Sequence, residues 1–170
     1  MERTVITTKL YKSPCGDLLL GEAFGRLCLC DWLTEPHHGK VMRRMLTDAV
    51  IREGDSAVLR AAEKELDEYF AGRRWMFTLP LAIHGTDFQR SVWSKLAHIP
   101  YGKTITYAQL AHLCYSDNAV RAVANANGAN ALSIIIPCHR VVASDGTLGG
   151  YGGGTAAKRW LIELESSHFI

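Results

Sequence analysis

Thr106-Tyr107-Ala108-Gln109-Leu110-Ala111-His112-Leu113-Cys114, followed by Tyr115-Ser116-Asp117-Asn118 and Ala119-Val120-Arg121-Ala122-Val123-Ala124-Asn125-Ala126, is the stretch whose reading decides the fold. Thr106 with Gln109 three residues on is a capping-box pattern, which predicts a short helix over 107–114. Ser116 or Asp117 is then expected to cap a second helix, with Ala119, Ala122, Val123 and Ala126 on one face. Two short helices about three residues apart make a helix-turn-helix candidate. Many helix pairs that never touch DNA look the same. Arg121 lies off the apolar stripe and should project outward, as a groove-binding cation would and as any solvated helix face would.

Working upstream, Thr86 or Asp87 can cap a helix whose apolar face holds Phe88, Val92, Trp93 and Leu96, ended by Pro100-Tyr101-Gly102. His84-Gly85-Thr86 reads as a link between lobes. The segment 77–83 suits a strand, and 59–70 carries apolar residues at helical spacing, closed by Ala71-Gly72. Residues 35–41, with Pro36 and two histidines, read as a loop. The first thirty or so residues alternate and carry turn signals: 5–11, the turn 13–16, 18–21, the turn at Phe24-Gly25, and 27–32 form a hairpin or meander. The fold class is therefore α/β. A small N-terminal lobe, 1–84, has an antiparallel sheet plus a helix. A mainly helical C-terminal lobe, 85–170, has the helix-turn-helix and an active-site loop.

Composition narrows the partners only slightly. The chain has 170 residues, 48% hydrophobic and 21% charged, which is enough to bury a real core. No stretch approaches the roughly 18 apolar residues that span a membrane, and no apolar leader follows Met1. A cytoplasmic protein is expected, or a nuclear one in a eukaryote. Residues 1–85 carry 12 basic and 12 acidic side chains and residues 86–170 carry 7 and 5, so the whole net charge of +2 lies in the second half. That allows modest nucleic-acid affinity without demanding it. The five cysteines, at 15, 28, 30, 114 and 138, are odd in number and irregular in spacing, against a disulfide framework. Cys28 and Cys30 with His37-His38 could be imagined around zinc. Buried strand residues are the plainer reading, and no metal is expected.

The chemistry concentrates in Ser133-Ile134-Ile135-Ile136-Pro137-Cys138-His139-Arg140-Val141-Val142. Three isoleucines read as a buried strand, and Pro137 ends its ladder because it has no N–H. Only a few per cent of a free thiol with pKa near about 8.5 is thiolate at neutral pH, so a neighbouring His or Arg would matter. Adjacent strand residues point to opposite faces. Cys138 and His139 can cooperate only if the chain turns there or a water bridges them. A buried cysteine beside a structural His-Arg pair is the bland alternative.

The segment Ile136-Pro137-Cys138-His139-Arg140-Val141-Val142 resembles the active-site signature of the O6-alkylguanine-DNA alkyltransferases. Pro100-Tyr101-Gly102, Thr106 to Ala111, Arg121-Ala122-Val123 with Ala126, Asn127 and Asn130, and Gly149 to Gly154 followed by Lys158 to Leu161, Leu164 and Glu165 resemble the same family. The similarity is dense from residue 69 and thin before it. It implies DNA repair by a single, irreversible transfer of an alkyl group from O6-alkylguanine, and O4-alkylthymine as a further candidate, without a cofactor. Cys138 would be the acceptor, activated through water by His139, with Glu165 orienting the imidazole. Asn130 would brace the turn before the active site, and Tyr107 would sit by the flipped nucleotide and assist protonation of the leaving guanine. Arg121 would fill the gap in the base stack. Tyr107, Ala108, Ser116 and Ser144 would join it against DNA. Val141, Leu148, Tyr151 and Gly152 would wall the base pocket, the carbonyls of Cys138 and Val141 receiving the exocyclic amine. The partner implied is duplex DNA approached from the minor groove, bound by a monomer. Ala124, Ser133 and the turn 115–118 depart from the family's usual residues, which bears on substrate range and DNA affinity.

Two other classes stay open on the residues alone. One is a helix-turn-helix lesion binder that transfers nothing. The other is a cysteine hydrolase using Cys138 and His139, which unlike a suicide acceptor would turn over repeatedly on acyl substrates.

Overall fold

The computed structural model describes residues 2–168. Its first half is a four-stranded sheet in the order β3-β2-β1-β4, from β1 (Thr4–Ser13), β2 (Gly16–Ala23), β3 (Arg26–Trp32) and β4 (Ala49–Glu53). The first three strands form the antiparallel meander that the turn signals predict. β4 runs parallel to β1, so the sheet is mixed. Helix α2 (Ala57–Phe70) turns Leu59, Ala62, Leu66 and Tyr69 inward at the i, i+3/i+4 spacing of one helical face, and Ser56 caps it by accepting from Leu59 N.

The second half is mainly helical: α3 (Asp87–Leu96), α4 (Tyr107–Leu113), α5 (Val120–Gly128) and α6 (Thr155–His168), with the short parallel pair β5 (Ile105–Thr106) and β6 (Val141–Val142). The expected capping box at Thr106 forms, and Thr86, one of the two expected caps of α3, makes a second. Thr86 Oγ1 accepts from Gln89 N at 3.1 Å and Thr106 Oγ1 from Gln109 N at 3.1 Å, with each glutamine reaching back. Helix α4 ends in a Schellman motif: Tyr115 N donates to His112 O and Ser116 N to Ala111 O. Tyr115 occupies the left-handed position of that motif, at φ +53°.

One core spans both halves. Leu18, Leu20, Leu27, Trp32, Leu66 and Tyr69 pack in the same cluster as Val92, Trp93, Leu110, Val123, Ile136 and Leu161. A smaller cluster of Ile6, Cys28, Leu29, Val41, Met42 and Ala49 holds α1 (His37–Met45). Cys28 and Cys30 are buried in β3, one in each cluster.

Several expectations need correction. The region 35–41 is not a loop: α1 starts at His37, because Val41 and Met42 give it a buried face despite the histidine pair. The segment 77–83 is not a strand. Its backbone meets β3 at Leu27, whose N–H donates to Pro80 O and whose carbonyl accepts from Ala82 N, and Arg26 Nη1 adds a side-chain bond to Leu81 O at 3.3 Å; Pro80 itself has no N–H to extend a ladder. Neither Ser116 nor Asp117 caps α5 with its side chain. A 3₁₀ turn over Asp117–Ala119 intervenes, and α5 buries Val123, Ala126 and Asn127 while Ala122 faces out. Phe88 contributes little to the buried face of α3, being 38% exposed.

Candidate active site

The three isoleucines do not form a strand. Ile134 sits at φ +73°, a conformation a β-branched residue avoids, and Ile136 N closes a turn onto Leu132 O. Asn130 supplies what a neighbouring strand would. Its Oδ1 accepts from Leu132 N at 3.0 Å and its Nδ2 donates to Ile136 O at 2.8 Å, both buried. Pro137, at φ −80° and ψ 65°, is the centre of an inverse γ-turn in which Cys138 N donates to Ile136 O. A 3₁₀ turn over Cys138–Arg140 follows. The chain therefore turns where cooperation between Cys138 and His139 requires it.

Glu165, near the end of α6, is the hub. Its carboxylate accepts from His139 Nε2 at 2.7 Å, Arg140 Nε at 2.8 Å, Arg140 Nη2 at 3.1 Å and Tyr69 OH at 2.6 Å. Burial alone would raise this carboxyl, but His139 and Arg140 hold it well below the usual carboxylate range. The bond to Glu165 fixes the His139 proton on Nε2. That leaves Nδ1, buried and without a protein partner among the described residues, as a lone-pair acceptor. Burial keeps the imidazole neutral by lowering its pKa, against the pull of Glu165.

The Cys138 thiol is 4% exposed, and burial pushes its pKa up to about 11, with Asn130 and Lys158 acting in the opposite sense. It rests as a thiol and needs a base to react. Lys158 is fully buried and donates to Val141 O at 2.6 Å, Gly150 O at 3.3 Å and Tyr107 OH at 3.4 Å. Burial brings its pKa down to about 8. This one ammonium ties together β6, the glycine-rich loop and the first residue of α4.

Cys138 opens into a cleft of about 750 Å³ shared by Tyr107, Asn127, Tyr151 and Gly152, and by His37 from α1. The His37 ring lies over Gly152 so closely that a Cβ there would stand 2.7 Å from Nε2. His37 Nε2 donates to Asp31 Oδ2 at 2.7 Å, and Ser133 Oγ donates to the other Asp31 oxygen at 2.8 Å. The first half of the chain thus furnishes one wall of the cleft.

A strained turn, a thiol, an imidazole with a free nitrogen and a carboxylate behind it form a nucleophile with its base. Comparison with known proteins gives this arrangement a family. Residues 6–83 match the 6-O-methylguanine DNA methyltransferase ribonuclease-like domain, and residues 87–167 match the DNA binding domain of the same name. A methylated-DNA–protein-cysteine methyltransferase of Methanosarcina barkeri is 49% identical over 159 residues, 94% of this chain and 96% of that one. The chain belongs to the 6-O-methylguanine DNA methyltransferase family. Among solved structures, the O6-methylguanine methyltransferase of Mycobacterium tuberculosis is similar at TM-score 0.82 and 37% identity, covering 97% of this chain and 95% of that one. The M. tuberculosis OGT in complex with DNA is similar at TM-score 0.81 and 38% identity, covering 96% and 94%.

In this methyltransferase Cys138, His139, Glu165, Asn130 and Tyr107 come together around one cleft or its supporting turn. Arg121 is exposed on the first turn of α5, and Ala108 and Ser144 are exposed as well. Ser116 is not free: its Oγ donates to Cys114 O at 3.1 Å. The Val141 carbonyl already accepts from Lys158, and that of Cys138 from Asn127 at 3.4 Å and from Val141 N, so a ligand amine would share them. Sequence reasoning gave no role to Lys158, Tyr69 or Asp31, and it weighed Arg140 only as a charge beside the thiol and His37 only around an imagined zinc, whereas Arg140 bonds Glu165 and His37 bonds Asp31. A lysine among the apolar positions of α6 was a readable signal for the first. Nothing in the sequence separates Asp31 or His37 from other acidic and histidine residues.

Proposed function

We propose that this methyltransferase repairs duplex DNA by accepting an alkyl group from the O6 of guanine on the Sγ of Cys138, once per molecule. The observation that carries the reading is the buried Cys138 beside a His139 whose Nδ1 is unpaired and whose Nε2–H is held by Glu165. The thiol proton passes through a bridging water to Nδ1, and the imidazolium formed is stabilised by the Glu165 carboxylate. The S–C bond forms as the C–O6 bond breaks, and the electron pair leaves on guanine, which takes up one proton. The neutral Tyr107 phenol, its pKa raised by burial, is the donor at that end of the cleft. The product thioether has a poor leaving group and is not hydrolysed, so no cofactor regenerates the thiol.

An O6-alkyl carbon cannot be reached inside stacked duplex DNA, so the base is flipped at a cost of a few kcal/mol. Residues 85–170 form the DNA-binding and acceptor lobe, meeting the minor groove with α5, and residues 1–84 brace it as a monomer. Val141, Leu148, Tyr151 and Gly152 wall the base pocket. Arg121 offsets part of the flipping cost by filling the gap. Arg121→Ala is expected to slow repair of duplex DNA by about tenfold or more while changing the reaction with a free O6-alkylguanine base less than twofold. Equal slowing on both substrates would remove the gap-filling role. No helix among the described residues is long and apolar enough to cross a membrane, and the archaeal and bacterial relatives support a cytoplasmic location.

The direct test mixes the protein with a duplex containing one O6-methylguanine, followed by intact mass and peptide mapping. One methyl on the Cys138 peptide, saturating at one equivalent, is expected. Tight lesion binding without a mass change would leave a recognition protein instead.

A further inference from the structure

Tyr115 follows the last turn of α4 and precedes the 3₁₀ turn that leads into α5. Its place in the Schellman motif demands a left-handed backbone, which glycine adopts freely and an L side chain resists. A tyrosine here would be understandable if its ring were packed. The ring is instead 92% exposed, and the hydroxyl has no protein partner among the described residues. The fold gains nothing from this side chain and is strained by it. Strain that the surrounding structure does not reward points to a use outside the fold.

The position says what that use is. Helix α4 begins at Tyr107, which lines the Cys138 cleft, and Tyr115 lies eight residues on, about 12 Å along the axis at 1.5 Å per residue. That is three to four base-pair steps at about 3.4 Å each. Ser116, beside it, has turned its hydroxyl inward to Cys114 O, so the phenol, with the exposed Asn118 amide, is left as an outward donor of this turn. The nearby Asp117 carboxylate is paired with His112 Nδ1 at 3.0 Å. Phe24 is as exposed, at 88%, and equally left-handed, but it tips the β2–β3 hairpin and has no continuity with α5.

We propose that Tyr115 is a DNA contact, its ring against a sugar and its hydroxyl donating to a phosphate oxygen of the duplex held by α4 and α5. The proposal rests on the duplex-binding reading above. The contact carries no sequence or lesion information, so it acts alike on damaged and undamaged DNA.

Tyr115→Gly separates strain from contact, because the two move in opposite directions. The melting temperature should rise by about 2–4 °C. The Kd, read by fluorescence anisotropy at fixed salt, should weaken about fivefold on both undamaged duplex and duplex with O6-methylguanine. Reaction with a free O6-alkylguanine base should stay within twofold. A higher melting temperature with unchanged Kd would overturn the proposal. So would a lower melting temperature, or joint loss of free-base reaction and duplex binding, either of which makes Tyr115 structural. A parent protein that binds duplex but never alkylates itself would overturn the transfer reading and leave the contact standing; one that binds neither duplex overturns both.

Discussion

Cys138→Ser is expected to lower alkyl transfer by on the order of a million-fold while duplex binding stays within about twofold. The size follows from the chemistry of the acceptor. A serine hydroxyl is far less acidic than the thiol, which burial already holds near 11, and the neutral His139 cannot draw a proton from it to a useful extent. The turn, by contrast, does not depend on sulfur. Cys138 N donates to Ile136 O, Asn127 donates to Cys138 O, and Asn130 holds Ile136 O, all through groups that serine retains. Intact mass after incubation with an O6-methylguanine duplex, alongside anisotropy, reads both parts. A methyl group on the serine variant would show that another residue is the acceptor.

Glu165→Ala should destabilise the protein by about 3–5 kcal/mol, because it strands the Arg140 guanidinium and the Tyr69 hydroxyl in the interior. It should also slow transfer by about a hundredfold or more, since nothing then holds the proton on His139 Nε2. The pH dependence has a definite sign. The folded carboxyl lies below its unfolded value, so its contribution is complete above the unfolded value of about 4.3 and lost as pH falls through the folded one. The stability gap between parent and variant should therefore stand in full at pH 7 to 8 and shrink below about 4.3 as the carboxyl takes up its proton. Urea unfolding across that range checks it. A gap under 1 kcal/mol at pH 7 would mean that the carboxylate is not the hub its bonds describe.

What could be read in the sequence was local. The cap at Thr86, the capping box at Thr106, the α2 stripe and the meander all depend on residues within a few positions of one another, and all form. The Cys138, His139 and Glu165 constellation was legible through a dense motif. The failures share a cause in tertiary context. Three isoleucines carry a strand's propensity, yet Asn130 replaces the strand's hydrogen bonds from a side chain and lets them turn. Residues 77–83 alternate like a strand but meet β3 at a single backbone bridge. Helix α1 hid behind His37-His38-Gly39, and only its docking on Ile6 and Leu29 makes it worth forming. Asp31 and His37 are 112 or more residues from the glycine-rich loop they help position, beyond the reach of any pattern.

The Tyr69 hydroxyl crosses from the sheet half of the chain to bond the carboxylate that orients the imidazole, within a core that both halves share. Modularity is the casualty. An excised fragment starting at residue 85 would lose that phenol, the Asp31 brace and the apolar cover of Trp32 at one stroke, so the reactive half is not a transplantable cassette. Calorimetry on the intact chain should accordingly record a single endotherm rather than two. The N-terminal half is then no passive appendage: it is part of the cooperative unit whose integrity sets the reactivity of the thiol.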